Sequence, residues 1–197
     1  MLSKPASSGY FSRPGIYPAL LEAIECYTES DYKNKEIKKP SFTFILNLGD
    51  VDNKSEDVLF KQGFVFPPVD NDGVIKMAGE RSRYYQLVSS AYGERFDPED
   101  DDVKIEVGFP EEYDSPEGIF EMPSYQAYEK GEDRLKLTHF KINGKNIIGA
   151  ELNVELGFAD NPQTGVKSAK ISVVNATPIV KQVRRTSNSK LPAGAPA

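Results

Sequence analysis

An alternation of side chains between residues 41 and 48, interrupted only at Ile45, restricts the fold of this chain more than any other feature of its sequence. The apolar members are Phe42, Phe44, Leu46 and Leu48, and the polar residues between them are Ser41, Thr43 and Asn47. A repeat of two residues is the period of a β-strand, in which successive side chains point to opposite faces. The run therefore predicts a strand whose four large apolar side chains lie in a core, and hence a protein built on a sheet.

Six other segments have the composition and patterning of strands. They are Pro14 to Tyr27, Val58 to Phe66, Val103 to Val107, Leu135 to Ile142, Asn146 to Phe158 and Val166 to Val174. The dipeptide Asn143-Gly144 separates the fourth of these segments from the fifth, and it favours the tight turn of a β-hairpin. We therefore expect those two segments to form a strand pair.

One helix is predicted, from Arg81 to Tyr92. Its apolar residues follow the helical period at i, i+3, i+4 and i+7, and they are Tyr84, Leu87, Val88 and Ala91. Ser82 is placed to cap the first turn, and Gly93 stands where many helices end in a left-handed residue. The pattern indicates a short helix that packs against a sheet by one face.

The order of these elements is three strands, one helix, an acidic segment, a strand pair and a closing strand. This order predicts a mainly β fold, a five-stranded OB-like Greek-key barrel with one helix and a long acidic insertion. A β-sandwich would lack a helix at this place, and a ferredoxin-like fold needs a helix directly after its first strand. The expected organisation is a flexible N-terminal arm at 1–13, an OB-like domain at 14–182 with its insertion at 94–133, and a disordered C-terminal tail at 183–197.

Charge is distributed unevenly along the chain. The formal net charge is −6, but residues 94–133 contain fifteen acidic and three basic residues, and the rest of the chain is therefore net +6. A phosphate-binding surface needs a local positive field and not a positive total. The aromatic residues of the acidic segment are numerous, so we expect it to be at least partly ordered against the barrel, where it could compete with an anionic ligand.

Side chains that carry catalysis are scarce. The chain has one histidine, His139, and one cysteine, Cys26, so it offers neither a nucleophile with its base nor a His/Cys metal cluster. Both residues lie in predicted strands, where an ordinary packing role is expected of them. The acidic run from Asp97 to Asp102 lacks the glycine turn and ligand spacing of a calcium loop. We predict a protein that is not an enzyme and that has no catalytic residues, cofactor or metal.

Membrane and secretion signals are not found. No run of the roughly 18–20 apolar residues that a membrane span needs occurs, and residues 1–15 lack the apolar stretch of a signal peptide. A single cysteine fits a reducing compartment. The expectation is a cytoplasmic protein with no membrane partner.

The candidate ligand-binding residues follow from the predicted fold. In OB barrels the loop after the first strand and the loop before the last strand flank the binding face. Lysines of these two regions are Lys33, Lys35, Lys38 and Lys39, together with Lys167 and Lys170. Lys61 and Phe64 on the third strand, and Arg81 and Tyr85 on the polar side of the helix, complete the predicted nucleic-acid site. Aromatic residues of the second and third strands are expected to stack on bases, although Phe42 and Phe44 are assigned mainly to the core.

Several short motifs occur in an order that resembles a group of small phage-encoded proteins. They are Pro14-Gly15-Ile16-Tyr17-Pro18-Ala19, Glu22-Ala23-Ile24-Glu25, Phe42-Thr43-Phe44-Ile45, the helical stretch from Ser82 to Gly93, the run from Ile147 to Leu156, and Val174-Asn175-Ala176-Thr177-Pro178. The resemblance spans residues 14–180 and is interrupted by the acidic segment. The chain also lacks the acidic C-terminal tip that many single-strand-binding proteins use to recruit partners.

The proteins it resembles are phage-encoded OB-fold proteins that bind single-stranded DNA or assist replication. The resemblance implies an OB-like fold and a place in phage DNA replication or recombination. The predicted function is therefore non-enzymatic binding of single-stranded DNA in phage DNA replication or recombination, in the host cell cytoplasm. Replication or recombination proteins are possible partners, and the chain could form an oligomer. Two alternatives remain open: an assembly module that uses the acidic segment as its contact arm, and an acidic nucleic-acid mimic that acts on a host protein.

Overall fold

A computed structural model describes residues 15–30, 33–50, 57, 59–64, 75, 79–100, 102–124, 134–160 and 167–178. The predicted N-terminal arm and C-terminal tail lie outside these ranges. Strands dominate the described part of the chain, which also contains one α-helix. The prediction of a mainly β protein with a helix after the third strand is confirmed.

The strands form two antiparallel sheets. They are β1 (Gly15–Ser30), β2 (Lys38–Asn47), β3 (Leu59–Phe64), β4 (Ile105–Gly108), β5 (His139–Ile142), β6 (Lys145–Asn146), β7 (Glu151–Asp160) and β8 (Lys167–Pro178). The larger sheet has the order β3-β2-β1-β7-β8 and the smaller one the order β4-β5-β6. Helix α1 (Arg83–Tyr92) lies between β3 and β4 in the chain, and two 3-10 turns, Glu111–Tyr113 and Gly118–Phe120, follow β4.

Strand β1 joins the two halves of the larger sheet because it pairs with two strands in turn. Its first part, from Gly15 to Leu20, pairs with β7, and its second part, from Leu20 to Ser30, pairs with β2. The register shifts between Leu21 and Ala23, so Glu22 is an extra residue on β1. Such a bulge bends a strand and increases its twist, and it allows β1 to pass from one partner to the other.

Three short stretches of chain cover the other edge of β1 beyond the bulge. Leu21 forms backbone hydrogen bonds with residues 149 and 150. Ile24 bonds to Leu137 and Cys26 to Leu135. Thr28 bonds to Pro123. An uncovered edge would present unpaired N–H and C=O groups. The stretches therefore satisfy the backbone of β1, and they bring residues 134–137 beside its second half.

The core lies between the two sheets and under the helix. Phe42 and Phe44 of β2 are fully buried, and both contact Phe140 of β5, with ring centroids 6.5 and 6.3 Å apart. Phe109, directly after β4, lies 6.1 Å from Phe42. Aromatic pairs at these separations add attraction to the burial of their apolar area. The predicted core residues of the second strand are therefore confirmed.

Helix α1 forms where the sequence predicts it. Its predicted apolar residues Tyr84, Leu87, Val88 and Ala91 are all buried, and the ring of Tyr84 packs edge-on against Phe44. The side chain of Ser82 accepts a hydrogen bond from the backbone of the third helical residue, which is the expected N-cap. Gly93 ends the helix in the left-handed region at φ 98°. The apolar face packs toward β7 and β8.

The structure differs from the predicted barrel in three respects. Within the described residues no pairing joins β3 to β8, so a closed barrel is not formed by them, and the strands number eight. The predicted strand from Asn146 to Phe158 is divided by a turn at residues 147–150 that includes Gly149 at φ 90°, so its first residue belongs to the smaller sheet and its main part to the larger. The Asn143-Gly144 hairpin does form, between β5 and β6.

The acidic segment is part of the core rather than an appendage. Its described residues include β4, which pairs with β5, and the buried side chains of Phe109, Ile119 and Met122. Thr28 of β1 donates its hydroxyl hydrogen bond to the backbone oxygen of Met122 at 2.7 Å. The alternation from Val103 to Val107 predicted a short strand here. It did not indicate that this strand would pair with β5 in a second, smaller sheet.

Candidate nucleic-acid interface

The face of the β1–β2–β3 ladder that points away from the core carries most of the candidate site, and we call it the outer face. Side chains that are directly opposite each other in an antiparallel ladder share a face. The register therefore assigns to the outer face Ala23, Glu25, Tyr27, Glu29, Lys39, Ser41, Thr43, Ile45 and Lys61. The alternation at 41–48 predicted a solvent-facing side here, but Ser41, Thr43 and Ile45 are buried. Strand β2 is covered on both faces.

A buried carboxylate with two cations lies on the outer face, away from the β1–β2 connection. The side chain of Glu25 is 9% exposed, and its two oxygens are 2.9 Å from Nη1 of Arg134 and 3.5 Å from Nζ of Lys61. An unpaired buried carboxylate would be strongly unfavourable. The two cations thus stabilise Glu25, and Glu25 in turn fixes where both of them lie.

Lys136 adds a further cation beside this group. It pairs with Glu25 across the bridge between β1 and residues 134–137, so both residues lie on the same side of the sheet. Its side chain is exposed. Lys39, Lys61, Arg134 and Lys136 together carry four positive charges on this face, against the two carboxylates of Glu25 and Glu29. Counted over the described residues, the charge of this face is positive although the whole chain is acidic.

The connection between β1 and β2 is an exposed basic turn. Its described part, residues 33–37, and the first residues of β2 include Lys33, Lys35, Lys38 and Lys39 and one acid, Glu36. The first three of these lysines are exposed and Lys39 is half-buried. By strand geometry Lys39 lies about 20 Å along β2 from the position opposite Lys61. The turn and the charged group around Glu25 thus mark the two ends of the outer face.

Polar groups line the buried strip between these ends. The hydroxyl of Tyr27 and Oγ1 of Thr43 form a hydrogen bond of 3.0 Å across β1 and β2. Ser41 is fully buried, and its hydroxyl has no hydrogen-bond partner among the described residues. A buried hydroxyl without a partner is rare and costs free energy. The buried strip therefore contains three hydroxyl groups, of Tyr27, Thr43 and Ser41.

The structure separates the other predicted site residues. Tyr85 was expected on an exposed helix face, but it is buried, and its hydroxyl donates a hydrogen bond of 2.5 Å to the backbone oxygen of Phe96. That prediction is wrong, because the acidic segment folds back over α1 and covers this side. Arg81 is exposed and precedes Ser82, the N-cap of α1, and no described pairing joins it to the strands of the outer face. For Phe64, Lys167 and Lys170 the structure describes the backbone alone, in β3 and β8.

Aromatic stacking receives no support from the second strand. Phe42 and Phe44 have no exposed surface, so the expectation that aromatics of this strand stack on bases is wrong. Phe60 of the third strand is also buried. The large exposed apolar residues of the described part of the chain are all aliphatic: Ile16, Leu20, Ile37 and Leu59. A ligand that binds the described surface would therefore be held mainly through charge.

Other titratable groups of the described residues lie at Glu106 and Cys26. His139 Nε2 and Lys141 Nζ approach the same oxygen of the exposed Glu106, at 3.1 and 2.7 Å, and the hydrogen bond from Lys141 lowers the pKa of Glu106. Burial raises the pKa of the Cys26 thiol to about 12. Among the described residues no group of three or more His, Cys, Asp or Glu side chains is arranged to hold a metal ion.

An acidic surface lies beside the basic one. All eleven described carboxylates between residues 94 and 124 are exposed: Glu94, Asp97, Glu99, Asp100, Asp102, Glu106, Glu111, Glu112, Asp114, Glu117 and Glu121. The segment reaches β1 at Thr28, whose hydroxyl and backbone N–H donate hydrogen bonds to the backbone oxygens of Met122 and Pro123. Thr28 is two residues from the end of β1, so the end of the acidic segment adjoins the basic turn.

Sequence reasoning missed Glu25, Arg134 and Lys136. Arg134 and Lys136 alternate with Leu135 and Leu137, and this period of two places the charged pair on one face. The alternation was therefore a usable signal for a basic strip. Nothing in the sequence indicated that the strip would lie against Glu25, 109 residues earlier in the chain.

No protein-family model, curated protein or solved structure matched this chain when it was compared with known proteins. The resemblance to phage proteins therefore stays a prediction. No helix in the described part of the chain is long and apolar enough to cross a membrane.

Proposed function

We propose that this protein binds single-stranded DNA without catalysis, through an OB-like sheet, in phage DNA replication or recombination. Contacts to backbone phosphates supply most of the affinity, and sequence preference is weak. The observation that carries the proposal is the local excess of positive charge on the outer face and the β1–β2 turn of an otherwise acidic chain.

The order of the strands supports the OB-like part of the proposal. In the larger sheet the third strand is next to the second, the second to the first, the first to β7, and β7 to β8. An OB sheet has this order, with a helix after its third strand, and it uses the β2–β3 face and the loop after β1 for oligonucleotides. A bulged first strand that is shared by both halves of the sheet suits the same architecture.

The acidic surface favours one rival, in which the chain is a nucleic-acid mimic. Eleven exposed carboxylates on a segment that is anchored in the core present an ordered negative surface. A mimic would bind a lysine-rich probe peptide in a salt-dependent manner and would leave oligonucleotides unbound. A nucleic-acid mimic would not need the basic turn, whereas in the proposed function the turn binds backbone phosphates. Among the described residues no contact favours the assembly module in particular.

Titration of labelled oligo-dT at several salt concentrations tests the proposed function. Each phosphate contact adds about 0.7 to the slope of log affinity against log salt for a single strand. The double variant Lys35→Ala, Lys38→Ala removes two exposed cations of the turn, and we expect it to flatten the slope by about 1.4. The matched control is Arg95→Ala, Lys104→Ala, which removes two exposed cations of the acidic segment.

The two double variants have the same net charge, so a difference between them locates the site. A flattened slope in the turn variant alone supports the proposal. Equal slopes in both variants would place the contacts elsewhere. If the wild-type protein does not bind oligo-dT at low salt, the proposed function is wrong.

A further inference from the structure

The cations at Glu25 have more donors than the carboxylate uses. A guanidinium has five N–H groups and an ammonium has three. Arg134 directs Nη1 to one oxygen of Glu25, and Lys61 approaches the other oxygen more loosely at 3.5 Å. Neither cation has another ion pair within the described residues. Most of their donors are therefore not engaged by ion pairs with the described residues.

The exposure of the three side chains is unequal, and this sets the sign of the surface charge. Glu25 is 9% exposed, whereas the side chains of Lys61 and Arg134 are 43% and 28% exposed. The negative charge thus lies beneath two positive charges that reach the surface. A ligand that approaches from solvent meets a net positive charge from two cations that share one carboxylate.

We infer that Lys61 and Arg134 form a phosphate-binding pair, and that the buried carboxylate of Glu25 is the positioning residue that holds them. This inference rests on the proposed function and names the contacts made by one backbone phosphate. Arg134 binds two phosphate oxygens through its planar fork, and Lys61 acts as a point charge from β3. Glu25 does not touch the ligand. It keeps the donors in the geometry that the ligand needs and so reduces the ordering that binding requires.

The variant Glu25→Gln distinguishes a positioning role of Glu25 from a role in charge neutralisation alone. If Glu25 only neutralises its neighbours, then Glu25→Gln raises the positive charge of the face and oligo-dT binds more tightly with a steeper salt slope. If Glu25 positions the pair, Glu25→Gln releases both cations, and affinity falls by roughly three- to tenfold although the protein is more positive. Tighter binding by Glu25→Gln would overturn the inference.

Two substitutions of Arg134 test the pair when Glu25→Gln is too unstable to assay, as judged by its thermal melt. We expect Arg134→Gln to weaken binding by about tenfold at low salt and to flatten the salt slope by about 0.7. Arg134→Lys keeps the charge but loses the fork, so affinity should fall while the slope is retained. Lys104→Gln is the matched control, an exposed cation without an ion pair in the described structure. If Arg134→Gln behaves like the control, the pair does not bind phosphate.

Inorganic tripolyphosphate separates this inference from the proposed function. We expect it to raise the melting temperature of the wild-type protein and of Lys104→Gln, but not that of Arg134→Gln. Stabilisation that depends on Arg134, in a protein that fails to bind oligo-dT, would retain the phosphate-binding pair and reject the DNA-binding function. Equal stabilisation of all three proteins would reject the pair.

Discussion

Glu25 and Cys26 are neighbours in the chain, yet they lie on opposite faces of β1. Glu25 is on the outer face with Arg134 and Lys61, and Cys26 is in the core, paired with Phe42. Both are buried, but the carboxylate has ionic partners, whereas burial disfavours the charged form of the thiol. One step along a strand therefore changes an ionic environment into an apolar one.

The buried thiol predicts a loss of stability at alkaline pH. Burial, with a smaller contribution from Glu25, raises the pKa of Cys26 from 9.0 to about 12. Above pH 9 the unfolded chain releases the thiol proton while the folded protein retains it, so the free energy of unfolding falls as pH rises from 9 to 12, by at most about 1.4 kcal/mol per pH unit. Denaturant titrations at pH 8, 9 and 10 measure this fall.

Cys26→Ala is the control for the alkaline effect. It lowers stability at every pH because a buried side chain becomes smaller, but we expect it to remove most of the decline between pH 9 and 10. Above pH 10 Tyr84 adds to the decline in both proteins, since burial also raises its pKa. An undiminished decline between pH 9 and 10 in Cys26→Ala would assign the effect to other groups.

At the scale of elements, α1 depends on the packing of one face. Leu87 and Val88 are at most 1% exposed, and Tyr84 contacts Phe44 of β2. A helix of ten residues is marginal by itself, so most of its stability comes from tertiary contacts. The cap at Ser82 contributes a smaller amount, about 1 kcal/mol.

Truncation of the buried face of α1 is expected to destabilise the whole domain. Leu87→Ala should lower the free energy of unfolding by about 2–5 kcal/mol, because it leaves a cavity in the core. Arg83→Ala changes an exposed residue of the same helix and should stay within about 0.5 kcal/mol of wild type. Chemical denaturation followed by circular dichroism compares the two. Similar stabilities would show that α1 is not integrated into the core.

The whole molecule combines a basic face with an acidic surface that adjoins it. The acidic segment is held by Phe109, Ile119 and Met122 in the core, so it cannot be removed as an independent arm. Its last described residues lie beside Thr28 of β1, about 7 Å of strand length from the basic turn. This separation is within the screening length of about 8 Å at physiological salt. Glu117 and Glu121 flank the 3-10 turn that contacts β2, so we expect their carboxylates to weaken the positive field of the basic turn.

Neutralisation of two of these carboxylates should strengthen DNA binding without affecting the fold. We expect Glu117→Gln, Glu121→Gln to raise the affinity for oligo-dT by about two- to threefold at low salt, mainly through a faster on-rate. Both residues are exposed, so the melting temperature should be nearly unchanged. The gain should disappear at high salt, which serves as the internal control. An affinity equal to wild type at low salt would show that the acidic surface does not act on the binding face.

The amino-acid sequence determined the local features of this protein. The strand with Phe42 and Phe44 in the core, the helical stripe through Leu87, the cap at Ser82 and the Asn143-Gly144 turn each depend on residues a few positions apart, and each is present in the structure. Local backbone preferences and periodic burial are readable because they are encoded within a single element.

Only the tertiary structure decided how these elements are combined. The buried position of Tyr85, the second sheet formed with β4 and the contact between Glu25 and Arg134 all join parts of the chain that are far apart in sequence. A strand pattern specifies which side chains face the same way, but not which strand will lie beside it. The candidate site depends on such a pairing, because residues 134–137 cover the edge of β1. They bring Arg134 to the carboxylate of Glu25, which is 109 residues earlier in the chain.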